Sequence, residues 1–313
     1  HTKAIVIINP NNPTGAVYSA DIVKGLVDIA RRHELVIFSD EIYEKIIFDD
    51  HVHHHTASYA GDDVLCLTFS GLSKAYRVCG YRSGWVVITG PKQIASDFIE
   101  GITLLANMRM CANVPGQQAI QTALGGYQSI NELIVPGGRF YDQSKLAWRL
   151  LNQIPGVSCV EPQGALYVFP HLDPEVYPIE DDQAFVIDLL HAKKILVSHG
   201  TGFNWPAPDH FRLVALPNTE VLTEAIGRIA GKSEMARLEK KVKRLRRRVS
   251  GGGGRPPADA RPRTRSAHPA IVAGTHQPPA LSAVRTSPVR IACTSPDFRI
   301  TTSKPANPTA AMI

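Results

Sequence analysis

The sequence predicts an α/β fold, in which a mostly parallel sheet with flanking helices precedes a smaller α+β domain and a disordered tail. Apolar runs at residues 4–8 and 35–38 both stop at polar turn sequences, and an amphipathic stretch lies between them. Strand, helix and strand in this order form a βαβ unit, so the two strands are expected to be parallel. The length of 313 residues is enough for about two domains.

The elements of the sheet domain follow in order along the chain. The first run, at residues 4–8, is continuously apolar, which is typical of a strand buried on both faces. Ser19 is the expected N-cap of the next helix. Further strands are predicted at residues 64–69 and 85–89, and helices at residues 91–108 and 115–124.

We expect this large domain to occupy residues 1–138 and the small domain residues 139–232. A long amphipathic helical pattern over residues 132–153 connects the two. In the small domain the patterns predict strands at residues 157–160, 166–169, 195–198 and 211–215, and helices at residues 181–192 and 220–230.

The composition changes after Lys232. The formal net charge is −6 up to that residue and +12 beyond it, against +6 overall, so the positive charge belongs to the tail. Apolar residues at helical spacing predict a basic helix over residues 233–250. Residues 251–313 contain ten prolines and one aromatic residue, which predicts a disordered tail.

The composition also excludes several classes of function. The mildly acidic body argues against nucleic-acid binding, although the basic run at residues 240–248 leaves nucleic acid or anionic lipid open beside a solvated helix face. No apolar run of about 18 residues occurs, and no secretory signal is visible. Five scattered cysteines without a CxxC motif argue against disulfides and zinc, and fit the cytoplasm.

Histidines at positions 51, 53, 54 and 55 raise the question of a metal site. Their placement follows no periodic pattern, so a solvated loop is the better interpretation, and we expect no metal.

Polar side chains follow the predicted strands at the points where those strands end. Asn12 follows the first strand, Asp40 and Tyr43 follow the second, and Lys74 and Arg82 follow the third. The carboxyl ends of parallel strands share one edge of a sheet, where α/β proteins bind ligands. A carboxylate, a phenol, an amine and a guanidinium suit pyridoxal 5'-phosphate (PLP), which carries a ring nitrogen, a phenolic oxygen, an aldehyde and a phosphate.

Each of these residues meets one requirement of that cofactor. Lys74 supplies the amine that forms an imine with the aldehyde. Asp40 stabilises the protonated ring nitrogen, which lets the ring accept electrons. Asn12 and Tyr43 hydrogen-bond to the ring oxygen, and Arg82 offers the phosphate a planar pair of donors.

Several sequence blocks resemble the signatures of class I/II aminotransferases, which are PLP enzymes of fold type I. The blocks are NPNNPTG (9–15), SDEIY (39–43), SGLSKAYRVCGYRSGW (70–85), QGALYVFP (163–170) and HFRLVAL (210–216). The resemblance runs from about residue 3 to residue 231. Residues 111–130 and 200–212 are similar to the bacterial alanine (glutamate–pyruvate) aminotransferase branch of the family in particular.

The resemblance implies a homodimer that transfers amino groups between alanine- or glutamate-type amino acids and 2-oxo acids. It makes Lys74 the catalytic Schiff-base lysine, and it assigns Arg212, with Asn12, to the substrate carboxylate. The bond between Asn12 and Pro13 is often cis in the family. The family often has serine where this chain has Gly71, so the phosphate hydroxyl comes from Ser73, from Ser70 or from no residue.

Some alternatives stay open at this point. The same scaffold also carries aspartate transamination and PLP-dependent lyase chemistry. Compared with the family, the chain starts late, so an inactive truncated remnant or a basic-tailed binding module is also possible. Lys74 is open to interpretation as an ordinary exposed lysine, Asp40 as the cap of a turn, and Arg82 and Arg212 as members of structural ion pairs.

Overall fold

A computed structural model describes residues 2–110 and 113–231, together with the backbone of residues 309–312. The strands of its main sheet are β1 (Ala4–Ile8), β2 (Val36–Asp40), β3 (Cys66–Gly71), β4 (Gly84–Thr89) and β10 (Thr309–Met312). They lie side by side in the order β1–β2–β3–β4–β10. The first three strands are parallel, whereas β4 runs antiparallel to β3 and β10 runs antiparallel to β4. The predicted α/β class is confirmed, with mixed strand pairing.

The direction of β4 matters for the site. Because β4 is antiparallel to β3, the loop at residues 72–83 lies at the carboxyl end of β3 and the amino end of β4. Lys74 and Arg82 therefore lie at the same edge of the sheet as Asn12 and Asp40.

Helices cover the sheet on both faces. The described helices are α1 (Ala20–Arg32), α2 (Thr56–Ala60), α3 (Ser96–Met108), α4 (Val114–Gly125), α5 (Arg139–Leu151), α6 (Asp182–Lys193) and α7 (Thr219–Ala230). Ser19 is the N-cap of α1, as predicted, and accepts a hydrogen bond from the backbone N–H of Ile22. Helices α1 and α2 pack against Ile37 on one face, and α3 packs against Leu67 on the other. Among the described residues, we find no helix with the length and apolar character needed to cross a bilayer.

The expectation that β1 is buried on both faces is wrong. Ile7 is 4% exposed against α1, but Val6 on the opposite face is 70% exposed. The reason is the position of α3, which packs over β3 and β4, where Val86 is buried, and leaves Val6 outside that cluster.

The helix predicted over residues 132–153 is also shorter than expected. It begins at Arg139, because Pro136, Gly137 and Gly138 interrupt it and Gly138 has extended backbone angles. A short 3₁₀ turn, Ser129–Glu132, precedes this break.

The second half of the described chain contains two small antiparallel sheets. One pairs β5 (Val157–Ser158) with β7 (His171–Leu172), and the other has the order β6 (Tyr167–Val168), β9 (Phe211–Val214), β8 (Ser198–His199). The described residues belong to one structural unit, so the predicted domain boundary at residues 138/139 stays a prediction. The predicted basic helix and the tail lie outside the described residues, apart from residues 309–312, which form β10 rather than an irregular segment.

The solvated-loop interpretation of the histidine segment is wrong for His53. Its side chain is only 6% exposed and lies 3.0 Å from a carboxylate oxygen of Glu41.

Candidate active site

A cavity of about 550 Å³ opens at the carboxyl ends of the parallel strands. Its polar lining combines residues that the sequence assigned to cofactor binding: Asp40, Tyr43, Ser70, Ser73, Lys74 and Arg82. Phe38 and Phe69, whose rings stack 6.2 Å apart, contribute to its apolar wall. The volume lies within the usual range for small-molecule sites.

Asp40 is the last residue of β2, and its position is fixed by the sheet. The N–H of the next residue, Glu41, donates to the carbonyl of Phe69, and Asp40 Oδ1 accepts from the N–H of Ile42 at 3.2 Å. Burial raises the pKa of Asp40, while the Ile42 N–H and the positive charge of Lys74 lower it. A partly buried carboxylate of this kind is stabilised by any further cation that enters the cavity.

Lys74 lies on the loop between β3 and β4, with its Nζ 5.8 Å from the centre of the Tyr43 ring. Backbone hydrogen bonds fix the loop: Leu72 donates to Ser83 at 3.1 Å, and Arg77 donates to Lys74 at 3.1 Å. The Lys74 amine therefore lies at the cavity on a turn that backbone hydrogen bonds hold in place.

Gly71 departs from the family pattern for a steric reason. It pairs directly with Gly84 across β3 and β4, and a Cβ at Gly71 would lie 3.0 Å from the Gly84 Cα. The close approach of the two strands therefore favours glycine here. Ser70 and Ser73 both line the cavity and offer the alternative hydroxyls.

Tyr43 connects the cavity to the second half of the chain. Its hydroxyl lies 2.5 Å from the hydroxyl of Tyr167, and both side chains are buried. Burial, followed by the hydrogen bond with Tyr167, raises the pKa of Tyr43 far above its ordinary value. The phenol is therefore protonated throughout the neutral range.

Arg212 lies beyond this pair of tyrosines. Its guanidinium carbon is 4.6 Å from the Tyr167 ring centre and 4.7 Å from the Phe203 ring centre, so two aromatic rings hold it. Its Nη1 donates to Asn12 Oδ1 at 2.9 Å, and its Nη2 donates to Ser198 Oγ at 3.2 Å. Its buried Nε has no hydrogen-bond partner among the residues that the structure describes.

The loop that carries Asn12 is held against residues 163–167. The carbonyl of Gly15 accepts hydrogen bonds of 2.9 Å from the N–H groups of both Gln163 and Gly164. Gly15 has a φ of +73°, and a Cβ there would lie 3.0 Å from the Tyr167 carbonyl oxygen, so this contact requires glycine. The Asn12–Pro13 bond is cis, as the resemblance implies.

The predicted residues thus form two adjacent groups. One group lines the cavity, whereas Asn12 and Arg212 pair with each other outside that lining. Contacts connect the two groups: Arg212 stacks on Tyr167, whose hydroxyl bonds to that of Tyr43 in the cavity wall. The exposed side chain of Arg82 lies at the cavity, where its Nη1 donates to the Cys79 carbonyl at 2.7 Å.

Three residues that contact Tyr43 or Arg212 were not singled out in the sequence: Tyr167, Ser198 and Phe203. Tyr167 and Phe203 lie inside blocks that carried the resemblance, at residues 163–170 and 200–212. Those blocks were therefore the only signal for them.

Comparison with known proteins gives a consistent result. The family described as "Aminotransferase class I and II" matches residues 1–229. An alanine aminotransferase from Mycobacterium tuberculosis is 65% identical over 228 residues, which are 73% of this chain and 53% of that protein. The glutamate-pyruvate aminotransferase AlaA of Escherichia coli is 58% identical over 229 residues, which are 73% of this chain and 56% of that protein.

A solved structure supports the same assignment. The crystal structure of an aminotransferase from Escherichia coli is 56% identical, with a TM-score of 0.72, and the match covers 75% of this chain and 57% of that one. The chain therefore spans somewhat more than half the length of the relatives it matches. Because the family match extends over most of the chain and agrees with the fold, the chain belongs to the class I and II aminotransferases.

Proposed function

We propose that this chain binds PLP and carries the catalytic residues of a transaminase acting on alanine- or glutamate-type amino acids and 2-oxo acids. Class I and II aminotransferases depend on PLP, and similar proteins are named alanine and glutamate-pyruvate aminotransferases. The observation that carries the proposal is the single cavity shared by Lys74, Asp40, Tyr43, Ser73 and Arg82.

The residues present fit this cofactor. The cavity offers an amine, a phenol, a guanidinium and a carboxylate whose pKa is raised by burial and lowered again by a nearby positive charge. When bound, PLP supplies an aldehyde that takes up amines and a ring that accepts electrons from the substrate Cα.

Each side chain then has a defined task. Asp40 would accept a hydrogen bond from the protonated ring nitrogen, and Tyr43 and Asn12 would orient the ring through its phenolic oxygen. Arg82 and Ser73 would bind the phosphate. Lys74 would hold the cofactor through its amine, and the same amine would move the proton at the substrate Cα.

In this proposal Arg212 binds the α-carboxylate of the substrate. Its buried Nε lacks a partner among the described residues, and the side-on edge of a guanidinium forms two parallel hydrogen bonds with a carboxylate. Asn12 and Ser198 hold the other nitrogens, and the rings of Tyr167 and Phe203 fix the guanidinium plane. A substrate carboxylate bound there would satisfy Nε.

A homodimer, which the resemblance implies, and a cytoplasmic location, which the scattered cysteines favour, belong to the same proposal. Nucleic acid is not among the proposed partners, since the chain up to Lys232 has a net charge of −6 and the positive charge lies in the tail.

The proposal is tested by adding PLP to the purified full chain and following both absorption and turnover. We expect an absorption band at the edge of the visible range that Lys74→Ala abolishes and Lys24→Ala, at an exposed lysine of α1, leaves intact. Alanine with 2-oxoglutarate should be turned over faster than aspartate with 2-oxoglutarate. Absence of a Lys74-dependent band would refute cofactor binding by this chain, and faster turnover of aspartate would refute the proposed substrate class.

A further inference from the structure

Four metal-ligating side chains meet beside the turn that follows β2. Glu41, Glu44, His53 and His55 each offer one ligand atom, and these atoms all lie within 4.8 Å of one another. None of these residues lines the cavity described above. The cluster is therefore separate from the proposed PLP site, although Glu41 directly follows Asp40 in the sequence.

The fold positions these ligands with main-chain and hydroxyl contacts. Glu41 is fully buried, and its Oε1 accepts from the Ser39 hydroxyl at 2.9 Å and from the Thr56 N–H at 3.0 Å. These two bonds fix the carboxylate, and its other oxygen, Oε2, faces both histidines. Buried ligands held in this way by surrounding hydrogen bonds are typical of metal sites.

The distances suit one small cation. Glu41 Oε2 lies 3.0 Å from His53 Nε2 and 2.5 Å from His55 Nδ1, and Glu44 Oε2 lies 3.7 Å from the same His55 nitrogen. Ligand atoms around a tetrahedral Zn²⁺ are about 3.3 Å apart, given bond lengths of about 2.0–2.1 Å. The observed separations between ligand atoms lie on both sides of that value. The imidazole rings of His53 and His55 are nearly perpendicular, with centres 4.6 Å apart.

The balance of charge also favours a divalent ion. Two carboxylates lie side by side, one of them fully buried and the other, Glu44, with only 18% of its side chain exposed. The nearest histidine nitrogen is too far from Glu44 for a hydrogen bond. When a metal takes the place of the histidine protons, the two carboxylates contribute a charge of −2, which a divalent cation neutralises. The half-exposed ring of His55 leaves a path from solvent.

We propose that Glu41, Glu44, His53 and His55 form a binding site for a divalent transition metal, with Zn²⁺ as the preferred ion. Nitrogen ligands disfavour Mg²⁺ and Ca²⁺, which prefer oxygen, and Zn²⁺ accepts imidazole and carboxylate together. Zn²⁺ would connect the turn after β2 to the segment that leads into α2. Its role would be structural, because the site lies outside the cavity.

The competing interpretation is a histidine–glutamate hydrogen-bond network that needs no metal. The two interpretations differ in stoichiometric metal uptake. The full chain is stripped with a chelator and titrated with Zn²⁺ against a chromophoric competitor, without PLP, so the outcome is independent of the proposed transaminase function. We expect one equivalent to bind, and affinity to fall at least about tenfold in both His55→Ala and Glu44→Gln.

His54→Ala is the matched control. His54 lies between the two histidine ligands but faces the Tyr59 hydroxyl, with its Nδ1 3.0 Å away, so its removal should leave Zn²⁺ affinity unchanged. Thermal melts in chelator check that each variant folds. Saturating Zn²⁺ should raise the Tm of the unmodified chain by about 5 °C, and that of Glu44→Gln by much less.

Two results would overturn the proposal. One is the absence of stoichiometric Zn²⁺ uptake by the unmodified chain. The other is an equal loss of affinity in His54→Ala and His55→Ala, which would show adventitious binding by surface histidines. Co²⁺ gives a further check, since a four-coordinate site produces intense visible bands and a hydrated ion does not.

Discussion

Asp40 and Glu41 are consecutive carboxylates with different surroundings. Asp40 lies in the cavity where we propose that the chemistry occurs, whereas Glu41 lies in a network of hydrogen bonds that supports the fold. Asp40 accepts a backbone hydrogen bond and faces a cavity, and burial raises its pKa. Burial would also raise the pKa of Glu41, but hydrogen bonds from His53, His55 and the Thr56 N–H lower it to about 2. Without a metal, hydrogen bonds within the protein satisfy Glu41, whereas Asp40 would be stabilised further by a cationic ligand in the cavity.

The largest effect is expected on activity, when the Asp40 carboxylate is removed. Asp40→Asn should lower kcat/KM for transamination by about 10³-fold, because the carboxylate proposed to stabilise charge on the cofactor ring is lost. The free energy of unfolding should change by less than about 1 kcal/mol, since Asp40 has few protein partners. Steady-state kinetics and urea melts measure the two quantities. The exposed Asp62→Asn serves as the control, and an equal loss of activity there would contradict the assignment.

The reverse outcome is expected for Glu41→Gln. This change weakens hydrogen bonds to a buried group that two histidines share, and the free energy of unfolding should fall by about 3 kcal/mol in the presence of chelator. PLP affinity should fall much less than in Asp40→Asn once the protein is folded. A Glu41→Gln variant as stable as the unmodified chain would show that this cluster does not support the fold.

A third change tests the group of residues around Arg212, which lies beside the cavity. Arg212→Lys keeps the charge but loses the side-on pair of donors and much of the stacking on Tyr167 and Phe203. We expect KM for the amino acid to rise about 30-fold, with a smaller effect on kcat and none on PLP affinity. An unchanged KM would remove Arg212 from the substrate site.

The link between the two groups is Tyr167. Tyr167→Phe removes the hydroxyl that bonds to Tyr43 and should lower the free energy of unfolding by about 1 kcal/mol. Urea melts measure this loss, and a Tyr167→Phe variant as stable as the unmodified chain would contradict a coupling between these two tyrosines.

The last prediction concerns Lys145 and its two carboxylate partners, none of which lines the cavity. Lys145 Nζ lies 2.6 Å from Asp49 and 2.7 Å from Glu161. The Lys145 hydrogen bond lowers the pKa of Asp49, so its contribution is present above the unfolded pKa of about 3.9 and is lost as the pH falls through the lower folded value. Lys145→Met should therefore destabilise the chain by about 1 kcal/mol at pH 7 and by less at pH 3. A loss of stability that does not vary with pH would point to packing instead.

The sequence predicted the cavity residues better than their neighbours, for a physical reason. Asp40 and Lys74 follow apolar runs, and the ends of parallel strands share an edge whatever the remaining packing. The antiparallel direction of β4 was missed, because an apolar run does not encode direction. Tyr167 was missed because its contact with Tyr43 spans 124 positions.

The histidine cluster shows the same limit. In the sequence, His53 and His55 lie in a polar loop, and nothing local indicates that Glu41 and Glu44 face them. Only the packing of this loop against the turn after β2 brings the four side chains together.

The proposed function depends on Lys74 and the residues around it holding PLP in one cavity. Borohydride reduction of the PLP-loaded chain, followed by proteolysis and mass spectrometry, identifies the lysine involved, because reduction fixes the cofactor to the amine that holds it. We predict that the cofactor mass is found on the peptide containing Lys74 at close to one equivalent per chain. Labelling spread over several lysines, or absent from the Lys74 peptide, would contradict the claim.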